Sequence, residues 1–406
     1  MKKVILILLS FSIFLCGCSL NELKTENPTT QPFINKQEKE YIKSIWITYY
    51  ELRELIGDRD EEEFKTNIDK VFKELYETGF NSVTVQVRAF ADAFYKSEYF
   101  PVSKYCFGKQ GGELKYDVLK IICECAKTNN LRIEAWINPY RVSSDNEIEK
   151  LSDNNIAKKW FKKNKTKSNV YVSEKGIYFN PASKYVTKLI VNGVKEIVKN
   201  YPVDSIHFDD YFYPDKSKKI DSSEYKKFGK ESSLSDFRRK CISDMIKNVN
   251  SAIKQQNKDI EFCISPASDV KNNYNNLYAD VKSWASKEEY CDSICPQIYF
   301  GFKNIHQPFM FTVKKWIEFT NKDLYVGLPL YKCGKKDKYA SQNNDEAINE
   351  FKTSQNIIAR QINYLAKLDD IKGFYVFSYS SLSDEKCSKE VENMIKAIRN
   401  THPNHS

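Results

Sequence analysis

The chain reads as an α/β fold, a (β/α)8 barrel of the TIM type with long loops after its third and fourth strands. Three observations predict this. Eight short apolar runs recur along the sequence, each followed by helical periodicity. The runs are apolar on both faces, as strands of a parallel sheet must be when neither face meets water. No glycine-rich phosphate turn follows any run, which disfavours the doubly wound open sheet, the other architecture that alternating strands and helices allow.

The runs span residues 44–50, 82–88, 132–140, 205–211, 261–267, 293–300, 324–331 and 373–382. Between the first two, Phe64, Ile68, Val71, Phe72 and Leu75 fall at helical spacing within residues 62–78. Further helices are predicted over 116–128, 184–200, 235–256, 275–286, 307–320, 353–368 and 388–399. Two gaps exceed a simple connection. Residues 142–182 follow the third run and carry a hairpin signal over 170–180, turning at Glu174-Lys175-Gly176. Residues 214–234 follow the fourth. Both lie at the carboxyl ends of strands, where barrels build their active sites, and long loops there shape clefts.

Residues 1–17 read as an export signal. Lys2 and Lys3 precede an apolar run from Val4 to Leu15, shorter than the roughly 20 apolar residues a membrane span needs. It stops at Leu15-Cys16-Gly17-Cys18, which resembles the bacterial lipobox and implies lipidation of Cys18 as the mature N-terminus. Ordinary secretion with cleavage nearby is the alternative. Residues 18–42 are polar, bury too little surface to fold, and read as a tether. The expected location is the outer face of the cell membrane, with the barrel over residues 43–400 and a loose tail at 401–406.

The formal charge is +9, and +7 once Lys2 and Lys3 leave with the signal. The lysines are spread along the chain, and no basic stripe argues for nucleic acid. Of eleven cysteines, Cys123, Cys125, Cys241, Cys263 and Cys295 fall inside predicted strands or helices and read as small core residues, not as a disulfide framework. The four histidines (His207, His306, His402 and His405) and the cysteines show no zinc-site spacing, so neither metal nor cofactor is expected.

The chemistry concentrates at Ser205-Ile-His-Phe-Asp-Asp-Tyr-Phe-Tyr-Pro214, a strand that ends in two adjacent carboxylates followed by aromatics. Carboxylates ringed by aromatics suit glycosidic cleavage, which needs a proton donor and a second carboxylate at the anomeric carbon. Alternation of strand residues puts Asp209 on the face of His207, toward the barrel mouth, and Asp210 on the opposite parity. Asp209, Asp210 and Asp269 are the candidate catalytic groups, with Asp92 and Glu134 as further candidate proton donors. Trp46, Gln86, Arg88, Trp136, Asn138, Arg141, His207, Tyr211, Gln297 and Tyr299 occupy other strand ends and are candidates for holding a sugar. Each has a structural alternative: Asp210 as a helix cap, His207 as a satisfied core histidine, Arg88 and Arg141 as ion-pair partners, the aromatics as core. Tyr211-Phe212-Tyr213, just past a strand, is the aromatic group least expected in a core.

His207-Phe-Asp-Asp-Tyr211 with Tyr213-Pro214, Glu134-Ala-Trp-Ile-Asn-Pro-Tyr140-Arg141, Gln86-Val-Arg88, Asn180-Pro181 and Pro296-Gln-Ile-Tyr299 occur in order. Together they resemble the glycosyl hydrolase-like 10 family over residues 43–340. The resemblance implies a barrel whose Asp209-Asp210 pair lines the cleft. It also implies glycoside hydrolase activity on cell-envelope glycan, with peptidoglycan strands as the expected substrate. Two rivals stand beside it: a non-catalytic glycan-binding lipoprotein on the same scaffold, and a metal-dependent hydrolase using Asp209, Asp210 and His207.

Overall fold

The computed structural model describes residues 40–340 and 344–401. The signal, Cys18 and the tether up to residue 39 lie outside the described residues. Eight parallel strands close into a barrel: β1 (Ile42–Ile47), β2 (Ser82–Arg88), β3 (Arg132–Ile137), β4 (Ser205–Phe208), β5 (Glu261–Ile264), β6 (Ser293–Ile294), β7 (Asp323–Leu328) and β8 (Ile371–Val376). They pair in sequence order, and β8 returns to β1, with Ile45 opposite Val376 on one side and Val83 on the other. The chain is thus the (β/α)8 barrel that its sequence predicts. β6 is only two residues long, and single bridges from Gln297 to Ala267 and Gly327 prolong its edge contacts.

Closure follows from the strand sequences. β1 is buried throughout because Ile45 and Ile47 face the helices while Ser44 and Trp46 face the barrel axis. The helix Glu61–Thr78 starts on a capping box of Asp60 and Glu63 and stops at Gly79, whose φ of 103° favours glycine. It buries Phe64, Ile68, Val71, Phe72 and Leu75, each worth roughly 1.5–3 kcal/mol of transfer free energy. Lys184–Asn200 forms the helix predicted over the same residues, and Leu234–Gln256 begins one residue before its predicted start. The last helix, Ser388–Asn400, carries the fold to a buried Thr401, whose carbonyl accepts a hydrogen bond from Lys43 Nζ at 3.4 Å.

The barrel interior is polar at its centre. Glu134 Oε1 accepts from Tyr375 Oη at 2.6 Å and pairs with Arg132 Nε at 3.3 Å. Arg132 also binds Glu261 at 2.7 Å. Burial works to raise the Glu134 carboxyl, but the hydrogen bond from His207 and the charge of Arg132 hold it below the usual range.

Two insertions stand on the carboxyl side. After β3, Arg141–Ser143, Val170–Ser173 and Gly176–Phe179 make a small antiparallel sheet, with the hairpin turning where it was expected. Gly176 is required there, because its φ is 132° and a Cβ would collide with the Ser143 carbonyl oxygen. After β4, the loop is pinned by Arg238, which binds Asp221 at 2.7 and 2.8 Å between the rings of Tyr213 and Tyr278. No helix among the described residues is long and apolar enough to cross a membrane.

Candidate active site

The strand ends and the loops above them enclose an open cavity of about 780 Å³. Trp46, Gln86, Trp136, Arg141, Asp209, Asp210, Tyr211, Asp269, Gln297 and Tyr299 all line it. Asp209 is held most firmly. Its Oδ2 accepts from Asn138 Nδ2 at 2.5 Å and Trp136 Nε1 at 3.2 Å, and its Oδ1 accepts from the Tyr211 N–H at 3.2 Å. Asn138 is itself fixed: its Oδ1 accepts from Gln86 Nε2 at 2.6 Å, and Gln86 Oε1 accepts from the Tyr49 N–H at 3.0 Å. A line of amide hydrogen bonds thus runs from the loop after β1, through β2 and β3, to the carboxylate after β4.

Asp210 also faces the cavity, although strand parity would send it the other way. The strand ends at Phe208, so alternation no longer governs residue 210. Its Oδ1 accepts from Gln297 Nε2 at 3.3 Å, and Gln297 is anchored on the Ser265 carbonyl at 2.9 Å. Burial, then the neighbouring Asp210 charge, push the Asp209 carboxyl up to about 7, against the pull of its N–H donors and Arg141. Burial raises Asp210 as well. Adjacent carboxyls raised together titrate as a pair.

Asp269 sits at the rim with both oxygens engaged. Oδ1 caps the short helix Val270–Asn272 through the Asn272 N–H at 2.9 Å, and Oδ2 accepts from Gln307 Nε2 at 3.1 Å. It caps this helix and still lines the cavity.

Five rings make the cavity floor. Phe377 is central, with ring centroids of Trp46, Tyr299 and Tyr331 at 5.9, 5.9 and 5.6 Å and Trp136 at 6.5 Å. Lys332 Nζ donates to the Tyr299 carbonyl at 2.7 Å and to Asp337 at 2.8 Å, fixing the backbone that carries the Tyr299 ring. At the mouth, the Arg141 guanidinium lies 4.7 Å from the ring centroid of Tyr211, which is 52% exposed, and 4.6 Å from that of Phe90. A second hollow of about 660 Å³ shares Ser268, Asp269 and Gln307 with the cavity and presents Tyr274 and Phe311.

Three expected sugar-binding residues do not reach the cavity. Arg88 is fully buried beneath the helix Lys184–Asn200, with its guanidinium 4.2 Å from the ring centroid of Phe100. The register between β2 and β3 shifts between Gln86 and Arg88, so the two residues no longer share a face. Asn138 acts through Asp209 from behind. His207 lies one layer down: it accepts from Trp46 Nε1 at 3.4 Å, which leaves Nδ1 to donate to Glu134 Oε2 at 3.1 Å. Both ring nitrogens are used there, so the trio Asp209, Asp210 and His207 is not assembled as a metal site. Glu134, His207 and Cys263 do bring ligand-type atoms within 4.8 Å of one another, but Arg132 and Tyr375 already compensate the Glu134 carboxylate.

Glu134 and Asp92 are removed as proton donors, the first by this network. The second is buried against Gln110, at 2.8 Å, under a different loop. Phe212 and Tyr213 are core, packed on Trp284 and Tyr278, and only Tyr211 of that triplet stands at the mouth. Sequence reasoning missed Tyr49 and Tyr50 as part of the mouth. They open the helix Tyr49–Ile56, whose capping box of Thr48 and Glu51 is legible as Thr-x-x-Glu.

The family model of glycosyl hydrolase-like 10 matches residues 41–345. The chain belongs to this family. It is 30% identical over 386 residues to the glycosyl hydrolase YngK of Bacillus subtilis, covering 87% of this chain and 71% of that one. It is 27% identical over 376 residues to the glycosyl hydrolase DigH of Escherichia coli K12, covering 82% of this chain and 84% of that one. Among solved structures, the glycoside hydrolase domain of PgaB from Bordetella bronchiseptica aligns with a TM-score of 0.58 at 11% identity, covering 90% of this chain and 99% of that one. An alpha-L-fucosidase from Paenibacillus thiaminolyticus aligns with a TM-score of 0.56 at 12% identity, over 89% of this chain and 49% of that one. These two likenesses concern the barrel. The family and its curated relatives support a hydrolase acting on a glycan.

Proposed function

We propose that the protein hydrolyses glycosidic bonds in the glycan strands of peptidoglycan, at the outer face of the membrane that its lipidated Cys18 would hold it to. The observation that carries this reading is the Asp209-Asp210 pair at the end of β4, both carboxyls lining the cavity above an aromatic floor and both raised by burial. In the proposed reaction the proton that burial and the Asp210 charge hold on Asp209 in the free protein passes to Asp210 when a sugar binds, and Asp209, with its three N–H donors, is then ionised beside the anomeric centre. Asp210, whose side chain is tied to Gln297, then gives its proton to the leaving oxygen. Two adjoining hollows that share Ser268, Asp269 and Gln307, one with Tyr211 and the other with Phe311 in its wall, suit a polymer longer than one sugar. An exported, anchored chain meets the wall glycan first, which favours that substrate over soluble sugars.

The test is incubation with peptidoglycan strands stripped of their peptides, followed by mass analysis and reducing-end assay. New reducing ends are expected from the wild type. Asp210→Asn is expected to lose about 10²–10⁴-fold in rate, the usual contribution of a positioned acid. Strands that are bound but released intact would establish the non-catalytic glycan-binding reading instead.

A further inference from the structure

We propose that the substrate itself supplies the nucleophile: the carbonyl oxygen of a 2-acetamido group attacks its own anomeric carbon, with Asp209 holding the amide and Asp210 serving as acid. This rests on the hydrolase reading above and specifies the sugar, a 2-acetamido pyranose, that must occupy the cavity floor.

The carboxyl inventory comes first. Among the described residues, Asp209, Asp210 and Asp269 are the carboxyl groups that line the cavity. Asp269 stands at the rim, where its oxygens accept from the Asn272 N–H and Gln307. The remaining two are consecutive, with α-carbons about 3.8 Å apart. A glycosidase that uses its own nucleophile, or an activated water, sets its two carboxyls on either side of the scissile bond. Consecutive residues past one strand end approach from one wall, and Asp269, the third carboxyl lining the cavity among the described residues, is held at the rim by the Asn272 N–H and Gln307. That arrangement favours a nucleophile that arrives with the sugar.

The second observation is what surrounds the pair. Asp209 has two donors on Oδ2 and one on Oδ1, which leaves an acceptor direction on Oδ1 for an amide N–H. Trp46, Trp136 and Tyr331, packed round Phe377, give an apolar seat for a methyl group. Tyr299 belongs to the same ring cluster, its phenol feels the charges of Asp210 and Asp209, and among the described residues nothing hydrogen-bonds its hydroxyl. A carboxylate acceptor, an apolar seat and an unused hydroxyl donor are the three contacts that one acetamido group makes: N–H, methyl and carbonyl.

The step balances without a further reagent. The acetamido oxygen forms a bond to C1 as the bond from C1 to the leaving oxygen breaks, and that oxygen takes the Asp210 proton. The positive charge of the resulting five-membered ring is spread onto its N–H, which Asp209 binds as an anion. A water molecule then attacks C1, giving one proton to Asp210, and the ring reopens to the acetamide. Two displacements at C1 leave its configuration retained.

The experiment uses peptide-stripped strands, either fully N-acetylated or chemically N-deacetylated, with NMR of the anomeric protons at early times. Cleavage of the acetylated strands with retention, loss of cleavage on the deacetylated strands, and competitive inhibition by a thiazoline analogue of N-acetylglucosamine are expected. Inversion at C1 would overturn the proposal, as would deacetylated strands cut at a rate comparable with acetylated ones. So would a covalent 2-fluoroglycosyl adduct trapped on Asp209. Failure to cleave either strand refutes the hydrolase reading itself, and this inference falls with it.

Discussion

Replacing Asp209 with asparagine is expected to stabilise the protein at alkaline pH while abolishing its activity. The carboxyl is 4% exposed and is pushed from 3.8 to about 7 by burial and by Asp210. In the unfolded chain it ionises near its ordinary value. Below pH 4 it is protonated in both states and imposes no penalty. As pH rises from about 4 to about 7 the unfolded state loses a proton that the folded state keeps, so wild-type stability falls across that window and then levels. About three pKa units at 1.36 kcal/mol each bound the loss at about 4 kcal/mol. Asparagine carries no charge but offers one oxygen where the carboxylate offered two, so the Tyr211 N–H loses its partner, at a cost of about 1–2 kcal/mol. The net gain at pH 8 is about 2–3 kcal/mol, and it reverses into a small loss at pH 4. Urea unfolding of wild type and Asp209→Asn at the two pH values measures it. A difference between the proteins that does not change with pH would refute the premise that burial penalises this charge.

Asn138→Ala removes one of the two donors on Asp209 Oδ2 and strands the Gln86 amide; kcat is expected to fall with little change in KM, and stability to drop by about 1–3 kcal/mol, read from steady-state kinetics and denaturant melts. Glu134→Gln breaks a buried charge network that touches no substrate, so a loss of about 3–5 kcal/mol in unfolding free energy is expected. Arg88→Met keeps the packing on Phe100 and removes a guanidinium whose nitrogens find no hydrogen-bond partner among the described residues. Unchanged or higher thermal stability and unchanged strand cleavage are expected, and a loss of cleavage would return Arg88 to the site.

The barrel was legible because its signal is repetitive: runs buried on both faces, separated by amphipathic helices such as Lys184–Asn200, admit few other arrangements. The site was legible where a residue still belonged to a regular strand, as Trp46 and Trp136 do. It held as well for Asp209, Gln297 and Tyr299 just past strand ends, and failed where contacts between elements set a direction. The register shift before Arg88 depends on how β2 meets β3, and no local pattern announces it. Asp210 lies beyond the last strand residue, so its direction is set by the loop. Phe212 and Tyr213 are core because Trp284 and Tyr278 arrive from some seventy residues later to cover them. Such pairings are properties of the folded chain and leave no trace in a window of sequence.

The polar centre of the barrel has a consequence for how the chain reaches its fold. Glu134 on β3 takes its shortest hydrogen bond from Tyr375 on β8, 241 positions later, and shares Arg132 with Glu261 on β5. A partial barrel that stopped before the last strand would enclose the Glu134 carboxylate without that hydroxyl. Four-strand or six-strand intermediates are therefore penalised at their own centre, and closure rewards the eighth strand more than an apolar interior would. The protein is expected to fold as one cooperative unit, and severing it between β7 and β8 should leave neither piece structured alone.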